Sequence, residues 1–590
     1  MLKVSDYVMN FFVSQGVSRV FLLPGGGSIH LVDSLGRCKK LEYICFFHEQ
    51  ALAVAAEAHG QHTNSPGVGL VTSGPGSTNT ITAVAAAYID STPCVFISGQ
   101  AKRSDLKGDT GVRQMGSQEV DIVSMVKCIT KYAVTILNPE DVRFHLEKAW
   151  CEATTGRMGP VWLDIPLDVQ GSLIDESTLK GYCKPEPGKP DLPLAQITTA
   201  LERSRRPLIL VGNGVKLSGA SDIVRDFAVK HRIPMVLTWK TADFLGYDHP
   251  LNFGFPGILG SRYANFIVQT SDLLLILGSR LDPSLTAFNS KDFGRNAFKI
   301  MIDIDAAEIN KVKNIDLRIT ADINSAMTAI AGMAIKMPDH SEWLDHCARL
   351  KKRYPVACEG ADSCQGVDLY FFISELFQQL KPTDIIVPES SGAAGEVTYQ
   401  AMKVKFGQSI KNAAGLGSMG FGLPYAIGSS LAMGRRRTIL INGDGAFQLN
   451  IQELETVRRL QLPIKMFILD NGGYMSIVNT QRSMFDGFIV GADASSGFTL
   501  PDTCAIAEAY KLRKMEILNN DEVRAGIRDV LRGDEPILCR ISVRPDQVIA
   551  PRVRSMKLPD GRMASKPLED MWPYLPAEEL AQNLKVGKDG

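Results

Sequence analysis

No two of the 11 cysteines in this 590-residue chain form a CxxC pair. Their odd number, scattered from Cys38 to Cys539, argues against a disulfide framework or a cysteine-based zinc site. A reducing, cytoplasmic setting is expected. Neither sign of charge is in excess: 64 Lys plus Arg face 64 Asp plus Glu, so nothing is spare for the phosphate contacts that dominate nucleic-acid affinity. No nucleic-acid partner is expected. No run of about 20 apolar residues occurs, which argues against a membrane span, and the opening MLKVSDYVMNFF lacks the apolar stretch and cleavage site of a secretory signal. No repeat at a 20 to 50 residue period is present, which excludes solenoids and propellers. His30, His59 and His62 lack metal-ligand spacing with a third partner, so zinc is not expected.

What the chain does have is the composition of an ordinary globular protein, 45% hydrophobic and 22% charged, at a length that suits three large domains or four smaller ones. Short apolar runs (VFLLP, YICFF, VGLVTS, PCVFISG) alternate with helical patterns through to VWLDIPLDV, the rhythm of a parallel α/β sheet. The Pro-rich, charged stretch Cys183 to Pro193 reads as a linker. PLILVG, PMVLT, DLLLILG and FKIMIDID form a second α/β unit, and DIIVPES, TILINGDG and PIKMFILDN a third. The fold class expected is α/β, three consecutive parallel-sheet domains, at 1–182, 193–337 and 366–550, followed by a tail at 551–590.

Chemistry concentrates between Arg435 and Tyr474. Thr438 to Asn442 reads as a buried strand, Ile451, Leu454, Val457 and Leu460 fall on one helical face, and Ile464 to Leu469 reads as the next strand. Right-handed crossover makes the two strands parallel. Gly443-Asp444-Gly445 and Asp470-Asn471 then emerge together at the carboxyl edge, where open α/β sheets bind ligands. A carboxylate, an amide oxygen and nearby backbone carbonyls suit Mg²⁺ that also takes diphosphate oxygens and water, and the flanking glycines let backbone approach phosphates. With 24 residues between Gly445 and Asp470, the pair resembles the thiamine-diphosphate motif, with Asp470 in place of its first Asn and Asn471 as the metal-binding second one.

Such a cofactor needs a carboxyl group to drive tautomerisation of its aminopyrimidine before the thiazolium carbon loses its proton. Glu49, in FFHEQALAVAAEA, stands between an apolar strand and an Ala-rich helix, and the stretch resembles the activating-glutamate segment of this superfamily. Gly25, Gly26 and the Ser73 to Ser77 turn offer backbone on which a planar cofactor packs.

Taken together, LLPGGG, HEQALAVAAEA, TSGPGSTN, GRMGPVWLDIP, SDLLLILGSRLD, IDIDAAEI, GLGSMGFGLP and GDGAFQLNIQEL resemble the large catalytic subunit of acetolactate synthase over about residues 1 to 550. The resemblance implies a thiamine-diphosphate-dependent carboligase that decarboxylates pyruvate and passes the two-carbon unit to an acceptor carbonyl. It implies a homodimer or homotetramer with active sites between subunits. Glu49 and Gln118 are then catalytic. Gly25, Gly26, Gly417, Met419, Gly443, Gly445, Ala446, Tyr474 and Met475 adjoin thiamine diphosphate, with Met419 wedged beneath the thiazolium. Asp444, Asn471 and Gly473 hold magnesium. FAD in the central domain is implied at Arg157, Gly212, Gly214, Arg280, Asp303, Asp305 and Asp322.

Four departures stand out. Pro283-Ser284 replaces the family's Asp-Arg after the GxRxD segment, and PESSGAAGE (Pro388 to Glu396) replaces its Gly-Gln-His segment. Ser117 stands for a bulky aromatic beside Gln118, and Thr480 for a tryptophan. The last two enlarge the acceptor side, which keeps open a carboligase acting on a larger ketone such as a nucleotide-linked deoxysugar. The sequence is also compatible with a flavin-dependent pyruvate oxidase and with a non-catalytic cofactor-binding relative.

Overall fold

The computed structural model describes all residues except 186, 187, 189, 190, 357–364, 546, 558, 559, 561 and 586–590, so parts of the linker, of the charged stretch before Gly366 and of the tail lie outside the described residues. Three parallel sheets follow one another along the chain. The first runs Glu42–Cys45, Arg19–Leu22, Gly67–Val71, Cys94–Gln100, Pro160–Pro166, Tyr132–Thr135. The middle one runs Met235–Leu237, Pro207–Val211, Leu273–Leu277, Phe298–Asp303, Leu317–Thr320. The third runs Ser409–Ile410, Ile385–Pro388, Thr438–Gly443, Ile464–Asp470, Ile537–Ser542, Arg513–Ile517. Helices cover both faces, which is why the central strands read as unbroken apolar runs. Leu317–Thr320 and Arg513–Ile517 escape the sequence pattern because they are half-exposed edge strands.

The first and third sheets are joined by equivalent helices. Glu49–Thr63 and Gly422–Ala432 each connect the second strand of their sheet to the third, and they pack against each other. Both are buried almost all round, the first with Glu57 and Gln61 among its buried side chains. Their backbones approach so closely that a Cβ on Gly428 would meet the Ala55 carbonyl oxygen at 2.4 Å.

The helix between the two site-bearing strands differs from a single run. A 3₁₀ stretch, Gln448–Glu453, precedes the α-helix Leu454–Leu460, and Asn450 departs from helical geometry (φ −138°). Its side chain explains the bend: Nδ2 donates to the carbonyl of Gly420 (2.8 Å) and to Oε1 of Gln50 (3.1 Å).

Described residues beyond 550 dock on the middle domain. Val553, Leu568 and Met571 enter its core, and Arg262 donates to the carbonyls of Met571 (3.1 Å) and Pro573 (2.6 Å). Among the described residues no helix is long and apolar enough to cross a membrane.

Candidate active site

Parallel pairing of Thr438–Gly443 with Ile464–Asp470 sets Gly443 opposite Leu469, so the two strands end side by side. Asp444 opens the short helix Asp444–Phe447 and is 3% exposed. One carboxylate oxygen accepts the N–H groups of Asn471 (2.9 Å) and Gly472 (2.7 Å), the other that of Gly445 (2.7 Å). Burial pushes its pKa up to about 7, with the negative charge of Asp470 adding to the rise and the three N–H donors opposing it. Beside it, Oδ1 of Asn471 is buried and accepts no hydrogen bond among the described residues. Most buried polar atoms in folded proteins find a partner; other side chains here also carry an unpartnered buried atom, but this oxygen adjoins a buried carboxylate and so marks a place for a donor or cation. The donor set, carboxylate, amide oxygen and peptide carbonyl, fits a hard divalent ion.

The chain then turns sharply. A Cβ on Gly473 would lie 2.2 Å from the carbonyl oxygen of Ala492, which accepts the N–H of Tyr474 at 2.8 Å, so only glycine closes this turn. The Tyr474 ring stacks on Phe498 at 4.4 Å, and Met475 begins the helix Met475–Met484. Ala446 is buried behind Asp444. Across from them the loop leading to the Gly422 helix carries Gly417, at φ +67°, and Met419, 41% exposed.

Glu49 is the first residue of its helix, half-buried, with Oε2 accepting from Asn79 Nδ2 (3.0 Å). His48 caps the helix by accepting the Gln50 N–H on Nδ1 (3.1 Å). Through Gln50 and Asn450 the segment reaches Gly420, next to Met419. Among the described residues, no hydrogen bond or ion pair joins Glu49 to Asp444 or Asn471 within one chain. The turn holding Gly25 and Gly26 packs on the next strand, where the Gly27 N–H donates to Thr72 Oγ1 (3.0 Å).

A cavity of about 1280 Å³ opens where the three domains meet. Arg157, Gly212, Gly214, Arg280, Asp303 and Asp322 line it, together with Pro283 and Ser284, and Ser390, Gly392 and Gly415 close it from the third domain. Asp305 is not in the wall: with Glu308 it grips Arg157 (2.7 and 2.8 Å). Arg280 donates to the carbonyl of Ile89 (3.3 Å), its one hydrogen bond among the described residues. At the junction Lys240 pairs with Asp90 (2.6 Å) and donates to Gln61 Oε1 (3.1 Å) and to the carbonyl of Asn412.

Residues 2–125 match the thiamine pyrophosphate enzyme N-terminal TPP binding domain, 194–330 the central domain and 391–541 the C-terminal TPP binding domain. Over 574 residues the chain is 31% identical to the acetolactate synthase isozyme 2 large subunit of Escherichia coli (strain K12), covering 96% of this chain and 99% of that protein. The chain belongs to the thiamine pyrophosphate enzyme family. Its likeness to acetolactate synthase large subunits extends to Lactococcus lactis (30% over 556 residues, 93% of this chain and 94% of that protein) and to the probable subunit of Methanocaldococcus jannaschii (31% over 579 residues, 96% and 95%).

In this thiamine pyrophosphate enzyme the residues expected at the acceptor side are spread out. Ser117 and Gln118 are exposed on a loop folded over the Gly74 turn, Gln118 with φ +57°. Buried Glu119 shapes that loop by accepting the N–H groups of Lys107, Met115 and Gly116. Thr480 is exposed on the Met475–Met484 helix, its hydroxyl donating to the Ser476 carbonyl (2.8 Å). Sequence reasoning missed Glu453. Fully buried, it accepts the N–H groups of Phe47 (3.0 Å) and His48 (3.1 Å) on Oε1 and the Thr456 hydroxyl on Oε2, latching the Glu49 segment to the third domain. Burial pushes its pKa up to about 7. Nothing in the local sequence marked it, because Gln452 and Glu455 make it one polar residue among several.

Proposed function

We propose that the protein decarboxylates pyruvate and ligates the two-carbon unit to the carbonyl of a second keto acid, as an acetolactate synthase. The observation that carries this is the pairing of buried Asp444 with the orphaned oxygen of Asn471 at the end of two adjacent strands. Thiamine diphosphate, when bound, supplies the carbon nucleophile and electron sink that side chains lack. Asp444, Asn471 and the Gly473 carbonyl would hold a magnesium ion that neutralises its diphosphate. Gly443, Gly445, Ala446, Tyr474 and Met475 shape the turn around that end, while Gly417 and Met419 support the ring.

Glu49 holds and returns the activating proton. Asn79 occupies Oε2, which leaves Oε1 for the cofactor ring. Glu49 of one copy serves Asp444 of another in this reading, a homodimer or homotetramer with shared sites. That no hydrogen bond or ion pair joins Glu49 to Asp444 among the described residues supports it, as do Met419, Leu449, Phe485 and Phe488, apolar and exposed. Gly25, Gly26 and Gln118 complete the wall.

The junction cavity takes FAD. Arg280 is the guanidinium left for its pyrophosphate, because Arg157 is engaged by Asp305 and Glu308. Asp303 and Asp322 accept from ribose or adenine, and Gly212 and Gly214 admit the backbone-side approach. Nine free cysteines among the described residues support a cytoplasmic setting.

The small exposed side chains of Ser117 and Thr480 favour one second reading, a larger ketone as acceptor. Mass spectrometry of products from pyruvate, with and without 2-ketobutyrate and bulkier ketones, separates the two. Acetolactate from pyruvate alone is the expected result; acetaldehyde alone, or oxygen uptake without ligation, overturns it.

A further inference from the structure

Asp470, the carboxylate standing where the motif has its first asparagine, is held in a ladder that crosses three strands. Parallel register sets Arg540 opposite Ile468 on one side and opposite Glu516 on the other. Asp470 lies two residues beyond Ile468 and therefore on the same face of the sheet. The Arg540 fork spans both neighbours: Nε donates to Asp470 Oδ2 (2.5 Å) and Nη1 to Glu516 Oε1 (3.0 Å). The remaining oxygen of Asp470 accepts the Gly472 N–H (3.3 Å), the same N–H that Asp444 engages at 2.7 Å.

An asparagine at 470 would bring no charge to this turn. The carboxylate does, one residue from Asn471 and on the N–H shared with Asp444, where a diphosphate has to approach. Among the described residues the cation paired with Asp470 is Arg540. The Arg540 and Asp470 side chains retain 31% and 23% exposure. As an ordinary surface pair it would contribute little to stability. Its place beside the cofactor turn gives it a different significance.

We propose that Arg540 is a positioning residue: it neutralises Asp470 and fixes it on the Gly472 N–H, so that this carboxylate neither repels the diphosphate nor disturbs the Asn471 turn. The inference rests on Asp444 and Asn471 being the metal and diphosphate anchor. A single unbalanced charge near contact range in a half-screened site is worth about tenfold in an equilibrium, and that sets the expected effect.

The test is calorimetric titration of thiamine diphosphate into the full-length, cofactor-stripped protein at saturating Mn²⁺, with the Mn²⁺ resonance spectrum recorded in parallel. Arg540→Met should weaken thiamine diphosphate binding about tenfold and broaden the Mn²⁺ signal. Asp470→Asn added to Arg540→Met should bring affinity back to within about twofold of the parent. Arg540→Lys keeps the charge and loses the fork, and should fall between the two. Should Arg540→Met prove insoluble, Arg540→Lys with and without Asp470→Asn carries the same comparison. Affinity unchanged by Arg540→Met, or a loss that Asp470→Asn does not relieve, overturns the inference. If the unsubstituted protein itself binds no thiamine diphosphate, the reading of the site fails first and takes this one with it.

Discussion

The first and third domains are built to one plan and equipped for different chemistry. Numbered within each sheet, both strand orders are 2-1-3-4-6-5, and the helix between strands two and three is in each case the one that packs on its counterpart. The residue after the third strand is Thr72 in the first sheet and Asp444 in the third; the residue after the fourth is Ala101 in one and Asn471 in the other. Thr72 fastens a glycine turn through a neutral hydrogen bond, whereas Asp444 and Asn471 assemble a buried, partly unsatisfied oxygen cluster. Topology supplies the edge, and two side chains on that edge decide what it can hold.

Exchanging those side chains breaks the comparison most severely. Asp444→Ala should take pyruvate turnover below detection, with no recovery on adding Mg²⁺; Thr72→Ala, which loses one neutral hydrogen bond of about 1 kcal/mol, should leave it within about fivefold. Equal losses would show that the two edges are not functionally distinct. Next in size is Glu49→Gln at the start of the first-domain helix, for which turnover should drop by roughly 10²-fold, the scale of lost acid–base catalysis. Near-normal rates would remove Glu49 from the chemistry.

Gly428→Val tests the helix pair itself. A branched side chain against the Ala55 carbonyl should cost about 1–3 kcal/mol of stability, read as a lower unfolding midpoint in denaturant. Glu453 sharpens the contrast through pH. Its folded pKa is raised above the usual glutamate value, so the unfolded chain gives up the proton first. The stabilisation is therefore complete below about pH 4.5 and fades as pH climbs through about 7. Glu453→Gln should remove that portion of the decline, and an identical pH profile would count against the latch. The smallest effect belongs to Thr480→Trp, expected to shift product ratios between pyruvate and larger acceptors by a few-fold; an unchanged ratio places Thr480 outside the pocket.

Much of this was legible in the sequence wherever the signal was local. Asp444 and Asn471 are tied by one strand–helix–strand unit, so periodicity and spacing sufficed to bring them together. The helix start at Glu49 was visible at the boundary between an apolar run and an Ala-rich one, whereas its proposed role came only from resemblance. Features made by distant segments left no such trace. Glu453 meets Phe47 and His48 across about 400 residues, and Arg540 meets Asp470 only through strand register. Ser117 and Thr480 stood out as departures, but their exposure depends on how a loop and a helix sit over the sheets. The kink at Asn450 was hidden for the same reason: its two partners come from the first domain and from the loop before Gly422.

Lys240 carries a mechanical implication. It reaches from the middle domain to Asp90 and Gln61 on one side and to the Asn412 carbonyl on the other, with 14% of its side chain exposed. Moving any one domain away would break at least one of these contacts, so a single ammonium group beside the junction cavity ties all three together. Replacing this one side chain therefore touches all three domains at once, at the rim of the space they enclose.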